Sequence, residues 1–298
     1  MKRSLIVFGV IALFLGVGVA FLAFDEPAEP IVVPIAPPPS ETISATPTPT
    51  STKNIIGYSV ERRAITAYTF GTGEIDLLFV GGIHGGYEWN SSLLAYEMIE
   101  HFKSVPSAIP SNVTIHIIPN LNPDGLFTAT GLEGKFAAAD IKNTDMHTSG
   151  KGRMNANDVD LNRNFACKWA PQSTWRSKTV SAGAAAFSEP EAAALRDYVQ
   201  MITPEAATFW HSMANAVYAS ECENGVLPET LTLMNTYATA GGYGAVPVFD
   251  AYPVTGDAEG WLASIGIPAV TVELGSRTST EWEKNLAGVT AVLELYAN

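Results

Sequence analysis

Basic side chains are scarce in this sequence: 17 Lys and Arg stand against 30 Asp and Glu, a formal net charge of −13. Such a surface repels a phosphate backbone, which argues against nucleic acid as a partner. Charge of either sign is sparse at 16%, against 47% hydrophobic residues, and that balance excludes wholesale disorder. No internal repeat is visible, which excludes a solenoid reading. Cysteine occurs only at 167 and 222. Two such residues either pair in an oxidising compartment or remain free buried thiols.

An apolar run is present at the start. Lys2 and Arg3 precede an uncharged stretch from Ser4 to Phe24, 21 residues long. A helix needs about 20 residues to cross the hydrocarbon core, and a secretory signal has a shorter apolar region. The run is expected to be an uncleaved N-terminal transmembrane helix with Lys2 and Arg3 cytoplasmic and the rest outside; a cleaved signal is the alternative. No cysteine follows it to carry a lipid. Residues 25–53 are rich in Pro, Ser and Thr without an amphipathic period, as a stiff tether would be. They are too few and too proline-rich for an inhibitory prodomain. The remaining residues, 54–298, suit a single catalytic domain.

Within that domain, EIDLLFVGGI carries a short continuous apolar run ending in Gly-Gly, the pattern of a strand buried on both faces. VTIHIIPNL, AATFWH and IPAVTVELG also read as strands. NIIGYSVERRAITAYTF holds two strand-like runs with a break at Glu61–Arg63. SSLLAYEMIEHF, PETLTLMNTYATA and TEWEKNLAGVTAVLELYA have helical spacing. FSEPEAAALRDYV predicts a helix capped by Ser188, with Pro190 early and Glu191 at the capping-box position. Strands separated by helices predict an α/β domain with a mostly parallel, mixed, twisted sheet covered on both faces. The long aperiodic stretch from Leu126 to Asp160 is the kind of loop that carries function.

Chemistry concentrates where strands end. GGIHGGYEWN places His84 after the first buried strand, with glycines for a sharp turn and Glu88 four residues on. Ligands of open α/β sheets bind beyond the carboxyl ends of strands. His211 ends AATFW in the same manner. Two histidines and a carboxylate are a familiar set for one catalytic zinc ion with an open fourth position. Glu273 ends a third strand, where a carboxylate is costly to bury without a purpose, and general base is one. GRMNANDVDLNRNF, residues 152–165, is dense in groups that bind carboxylates and oxyanions, Arg153, Asn162 and Arg163 among them. His101 is expected on a helix, His116 in a strand and His147 in a loop, all without a catalytic role.

Taken in order, GGIHGGYE, NPDG, RMNANDVDLNRNF, FSEPE, WHS, Tyr252–Trp261 and TVELG resemble the zinc metallocarboxypeptidase family typified by carboxypeptidase A, especially its compact bacterial members. The resemblance implies that His84, Glu88 and His211 hold one Zn2+ and that Arg153 polarises the scissile carbonyl. It implies that Asn162 and Arg163 bind a terminal carboxylate, that Glu273 is the base, and that Tyr252 closes over the substrate. The family spaces its first two ligands as His-x-x-Glu; here the spacing is His-x-x-x-Glu, and one extra glycine in the turn is the simplest account. The loops after DLNRNF and after His211 should border one cleft, so a Cys167–Cys222 bridge is expected to pin them together.

The resemblance also places a side-chain pocket near YPVTGDAEGW. Counting forward from Tyr252 puts its floor at Glu259, which favours a basic terminal residue. Counting back from Glu273 puts it at Ala258, which favours an apolar one, and Asp257 is a further contributor. Diaminopimelate is a third option. The expected function is an extracytoplasmic, monomeric zinc carboxypeptidase acting on peptides or muropeptides. Its rivals are a γ-D-glutamyl–diaminopimelate amidase, a deacylase of N-acyl amino acids, and a silent zinc-binding module at the cell surface.

Overall fold

The run IDLLFV forms the strand from which the sheet is built outward. The computed structural model describes residues 51–142 and 145–297. The expected membrane helix lies outside those residues, as does all of the expected tether before Ser51. Among the described residues no helix is long and apolar enough to cross a membrane. In chain order the strands are β1 (Thr52–Tyr58), β2 (Ala64–Gly71), β3 (Ile75–Val80), β4 (Val113–Ile118), β5 (Gln172–Trp175), β6 (Lys178–Ser181), β7 (Ala206–Ser212), β8 (Ala216–Ala219), β9 (Glu221–Cys222), β10 (Gly225–Val226), β11 (Gly244–Val246) and β12 (Ala269–Leu274). The helices are α1 (Trp89–Ser104), α2 (Pro123–Thr130), α3 (Met146–Ser149), α4 (Pro190–Ile202), α5 (Pro228–Gly241), α6 (Ala258–Ser264) and α7 (Trp282–Ala297). Among the described residues regular structure starts at Thr52, two residues before the expected domain start.

Eight strands make one mixed sheet in the order β1-β2-β4-β3-β7-β12-β8-β11. The pairs β3–β4, β3–β7, β7–β12 and β8–β11 are parallel; β1–β2, β2–β4 and β8–β12 are antiparallel. Side chains alternate across a strand, so a strand covered on both sides must be apolar throughout. In β3, Leu77 and Phe79 enter the core shared with α1, α5 and α7, while Leu78 and Val80 enter the core shared with α4 and α6. All four are at most 1% exposed, and burying each contributes about 1.5–3 kcal/mol.

The same alternation aims the chemistry. In β7, Ala207 and Phe209 face the α4–α6 core, so His211 points to that side at the carboxyl end. In β12, Val270, Val272 and Leu274 face the other core, which leaves Thr271 and Glu273 on the α6 side. The parallel register sets Glu273 directly beside His211.

Two local expectations change. The N-cap of α4 is Glu189, not Ser188, and no side chain caps it. Glu191 accepts from the Val60 N–H and from Asn155 instead of closing a capping box, because the loop around Asn155 lies over that helix end. His147 sits in the short helix α3, its Nδ1 3.2 Å from the Tyr87 carbonyl.

Candidate metal centre and cleft

The turn after β3 needs its glycines. Gly85 has φ +46°, and a Cβ there would lie 2.7 Å from the Gly152 carbonyl oxygen. Residues Gly85–Glu88 form one turn of 3-10 helix leading into α1. That turn takes up the extra residue between His84 and Glu88. His84 Nδ1 is 3.1 Å from Glu88 Oε1, His211 Nδ1 is 3.1 Å from Glu88 Oε2, and the two Nδ1 atoms are 3.2 Å apart. Donors bound to one tetrahedral zinc at ordinary lengths stand about 3.3 Å apart, so the trio has the right spacing without rearrangement. All three residues are buried.

The surroundings also call for a cation. His84 Nε2 lies 3.5 Å from Asp160 Oδ1, and His211 Nε2 lies 3.1 Å from Glu259 Oε1. Carboxylates on the far ring nitrogens fix the tautomer and orientation of metal-binding histidines. Burial opposes the charge on Glu88, but His84 and His211 outweigh it and hold the carboxyl well below its usual range. Burial likewise opposes a charged His211, yet Glu259 and Glu88 push its pKa up to about 10. A pocket this eager for positive charge fits a divalent ion held by His84, Glu88 and His211.

The sequence motifs converge around this trio. Asn122 of NPDG caps α2 by accepting from the Gly125 N–H, and its amide donates to the carbonyls of Arg153 and Met154. Glu189 and Glu191 of FSEPE accept from the Asn155 amide. Both motifs therefore hold the loop that carries Arg153. Arg153 donates through Nε to Asp160 Oδ2 at 2.9 Å, reaches the same oxygen through Nη2 at 2.8 Å, and lies 3.8 Å from Glu88. Asp160 thus orients Arg153 and sets its charge beside His84. Nearby Arg153, Arg163 and His84 overcome the penalty of its complete burial and keep it ionised.

Arg163 is pinned by the carbonyls of Asn162 and Thr174, and among the described residues no carboxylate pairs with it. Asn162 Oδ1 accepts from the Ala258 N–H, which leaves its amide N–H groups as donors. Both residues line a cavity of about 680 Å³ together with the trio, Arg153, Tyr252 and Glu273. The Tyr252 ring meets Phe249 edge-on at 4.9 Å. Glu273 Oε2 is buried without a hydrogen-bond partner among the described residues. Burial, then the charge of Glu88, raises its pKa to about 7, against the pull of His211 and the neighbouring arginines.

Glu259, expected at the pocket floor, lines the same cavity, but its carboxylate is already partly engaged. It is 2% exposed, and its Oε1 is engaged by His211 Nε2 and by the Thr271 hydroxyl at 2.9 Å. Counting along the chain gave its position but not its partner. Ala258 is fully buried in the α6 core, and Asp257 caps α6 by accepting from the Gly260 N–H at 2.7 Å. Burial and the charge of Glu259 raise the Asp257 pKa to about 6.

Sequence reasoning missed Asp160, which stands one residue before the LNRNF run and could have been read from it. It also missed Tyr87, Trp175, Arg176 and Arg277, which line the same cavity from three separate segments with no shared motif. Cys167 and Cys222 are disulfide-bonded, with Cα atoms 6.0 Å apart, and Cys167 also lines the cavity.

Comparison with known proteins agrees with this geometry. The profile of the zinc carboxypeptidase family matches residues 41–282. Gamma-D-glutamyl-L-diamino acid endopeptidase 1 of Lysinibacillus sphaericus is 26% identical over 246 residues, which span 75% of this chain but only 60% of that protein. Thrombin-activatable fibrinolysis inhibitor superposes with a TM-score of 0.66 at 18% identity, over 83% of this chain and 69% of its own. Murein-tripeptide amidase from Escherichia coli O157 gives 0.57 at 21%, over 81% of this chain and 91% of its own. Those two likenesses establish the fold. With the profile covering most of the sequence, the chain belongs to the zinc carboxypeptidase family.

Proposed function

We propose that the chain is a zinc-dependent carboxypeptidase that removes C-terminal residues outside the cytoplasm. The observation that carries this reading is the placing of Arg163, which has no carboxylate partner among the described residues, with the Asn162 amide in the same cavity as the His84–Glu88–His211 trio and Glu273. Arg163 and Asn162 would hold a free terminal carboxylate and so admit only chain ends. Arg153, locked by Asp160, would donate to the oxygen of the scissile carbonyl as charge grows on it. Glu273, raised toward neutrality, would take a proton from the attacking water and pass it to the leaving amine. Zinc, when bound by His84, Glu88 and His211, would supply Lewis-acid polarisation of the carbonyl and of water. Tyr252, which lines the cavity, would close against the bound residue.

A peptidoglycan reading, cleavage of a γ-D-glutamyl–diamino acid amide, is the second possibility. It is favoured by the similarity to the Lysinibacillus endopeptidase. An extracytoplasmic location is supported by the apolar run Ser4–Phe24 and by the bridged cysteines, which belong to oxidising compartments. The test is product analysis by mass spectrometry of a peptide panel, each member with a free or an amidated C-terminus, plus muropeptides. Loss of single residues from free-acid peptides alone, stopped by a chelator, is expected. Equal cleavage of amidated peptides would contradict the role of Arg163.

A further inference from the structure

The proposed reaction uses Arg153 and Arg163, yet the cavity holds two more arginines. Arg277 follows Glu273 on the loop after β12. Its guanidinium lies over the Tyr87 ring, 4.4 Å from the centroid, and its Nη1 is buried with no hydrogen-bond partner among the described residues. Arg176, on the β5–β6 turn, donates to the Tyr87 hydroxyl at 3.1 Å. A buried guanidinium N–H without an acceptor is costly and calls for a ligand that supplies one.

The position of Arg277 is fixed rather than accidental. The Asn90 amide, in the first turn of α1, donates to the carbonyls of Ser276 and Ser279 at 2.7 and 3.0 Å. The Gly275 N–H donates to Glu281 at 2.6 Å. The loop therefore presents Arg277 from an anchored frame, stacked on a tyrosine that is 1% exposed.

Three acids of the cavity are already engaged, and Glu273, the remaining buried one, makes no ion pair with Arg277 among the described residues. Glu88 bonds His84 and His211, Glu259 bonds His211 and Thr271, and Asp257 bonds the Gly260 N–H. Arg163 and Arg277 also serve different parts of the cleft. Arg163 is held by the carbonyls of Asn162 and Thr174, whereas Arg277 stands over the ring of Tyr87, the chain neighbour of Glu88. If Arg163 holds the carboxylate of the departing residue, Arg277 faces what lies across the scissile bond.

We propose that Arg277, assisted by Arg176, is a second carboxylate-binding subsite that selects substrates whose acyl residue, the one supplying the scissile carbonyl, carries a free carboxylate. This rests on the carboxypeptidase reading given above. Two chemistries provide such a group. A γ-linked glutamyl residue is attacked at its side-chain carbonyl and keeps its α-carboxylate free, with three carbons between that group and the reacting centre. An α-linked glutamyl residue presents its side-chain carboxylate instead. Planar bidentate recognition by a guanidinium suits either.

The first measurement is isothermal titration of the zinc-loaded protein with N-acetyl-L-alanyl-D-glutamate and with its α-amide. The acid is expected to bind roughly tenfold tighter or better, with the difference abolished in Arg277→Gln and partly restored in Arg277→Lys. Equal binding of acid and amide by the unaltered protein, or a preference that survives Arg277→Gln, overturns the proposal. Alongside it, hydrolysis is followed on four substrates with one common C-terminal residue: γ-linked glutamyl, its α-amide, α-linked glutamyl and α-linked glutaminyl. An acid preference within the γ pair identifies the γ-linked source, and one within the α pair an acidic peptide. Cleavage of none of the four would defeat the carboxypeptidase reading, while the titration would still decide the subsite.

Discussion

Replacing Asp160 by Asn would strike two functions at once. The side chain is fully buried, holds Arg153 through contacts of 2.8 and 2.9 Å, and stands 3.5 Å from His84 Nε2. Asn keeps the shape but removes the charge, and it leaves the 3% exposed Arg153 with only the more distant Glu88, 3.8 Å away, as a counter-ion. Breaking a buried pair in this way costs about 3–5 kcal/mol. Loss of the carboxylate behind a metal-binding histidine weakens metal affinity about 10- to 100-fold. Two assays separate these effects. Urea unfolding of chelated protein should show the stability loss, and competition against a fluorescent zinc chelator should show the affinity loss. An Asp160→Asn protein within 1 kcal/mol of the parent, with zinc affinity within about twofold, would refute the assignment of Asp160 as the carboxylate that orients Arg153 and sets its charge beside His84.

Other outcomes follow from the same geometry. Arg163→Ala should lower kcat/KM on free-acid peptides by about 10- to 100-fold, chiefly through KM, as expected for a charge-assisted hydrogen bond removed; a pure kcat effect would contradict a binding role. Activity should fall on the acid side as Glu273 is protonated. The ionised form is the active one, so kcat/KM rises with pH through an acid limb at or below about 7, since a bound cation favours the carboxylate; an acid limb that Glu273→Asp leaves unshifted would count against it. Cys167→Ser paired with Cys222→Ser should cost about 2–4 kcal/mol in unfolding experiments, and reductant should destabilise the parent but not the double variant.

Much of this architecture was legible because the local signals agree with the tertiary ones. IDLLFV holds the continuous apolar run Leu77–Val80 and VTIHII is mostly apolar, and both are strands covered on both faces. His211 and Glu273 were readable as site residues because each ends such a run, and the parallel register then brings them side by side. The departure from the family spacing was readable only as an insertion; that a 3-10 turn against the backbone of Gly125 and Gly152 accommodates it is a tertiary fact. Glu259 shows the limit most clearly. Its place in YPVTGDAEGW is a matter of counting, but whether its carboxylate faces substrate or His211 depends on how α6 sits against β7 and β12. Arg277 meets Tyr87 from a distant part of the chain, and neither stands in a pattern that names the other. The antiparallel strand β8, set between β12 and β11, is four residues long and too short to announce itself by alternation.

The central claim is that His84, Glu88 and His211 bind one zinc ion that serves chemistry driven by Glu273. The most direct measurement compares the parent protein with Glu273→Gln for zinc content and for turnover of a free-acid peptide. One zinc per chain in both proteins, with turnover reduced by about 10³-fold or more in Glu273→Gln only, is the predicted result. Retained turnover in a zinc-loaded Glu273→Gln protein, or a parent that hydrolyses the peptide after complete removal of zinc, would contradict it.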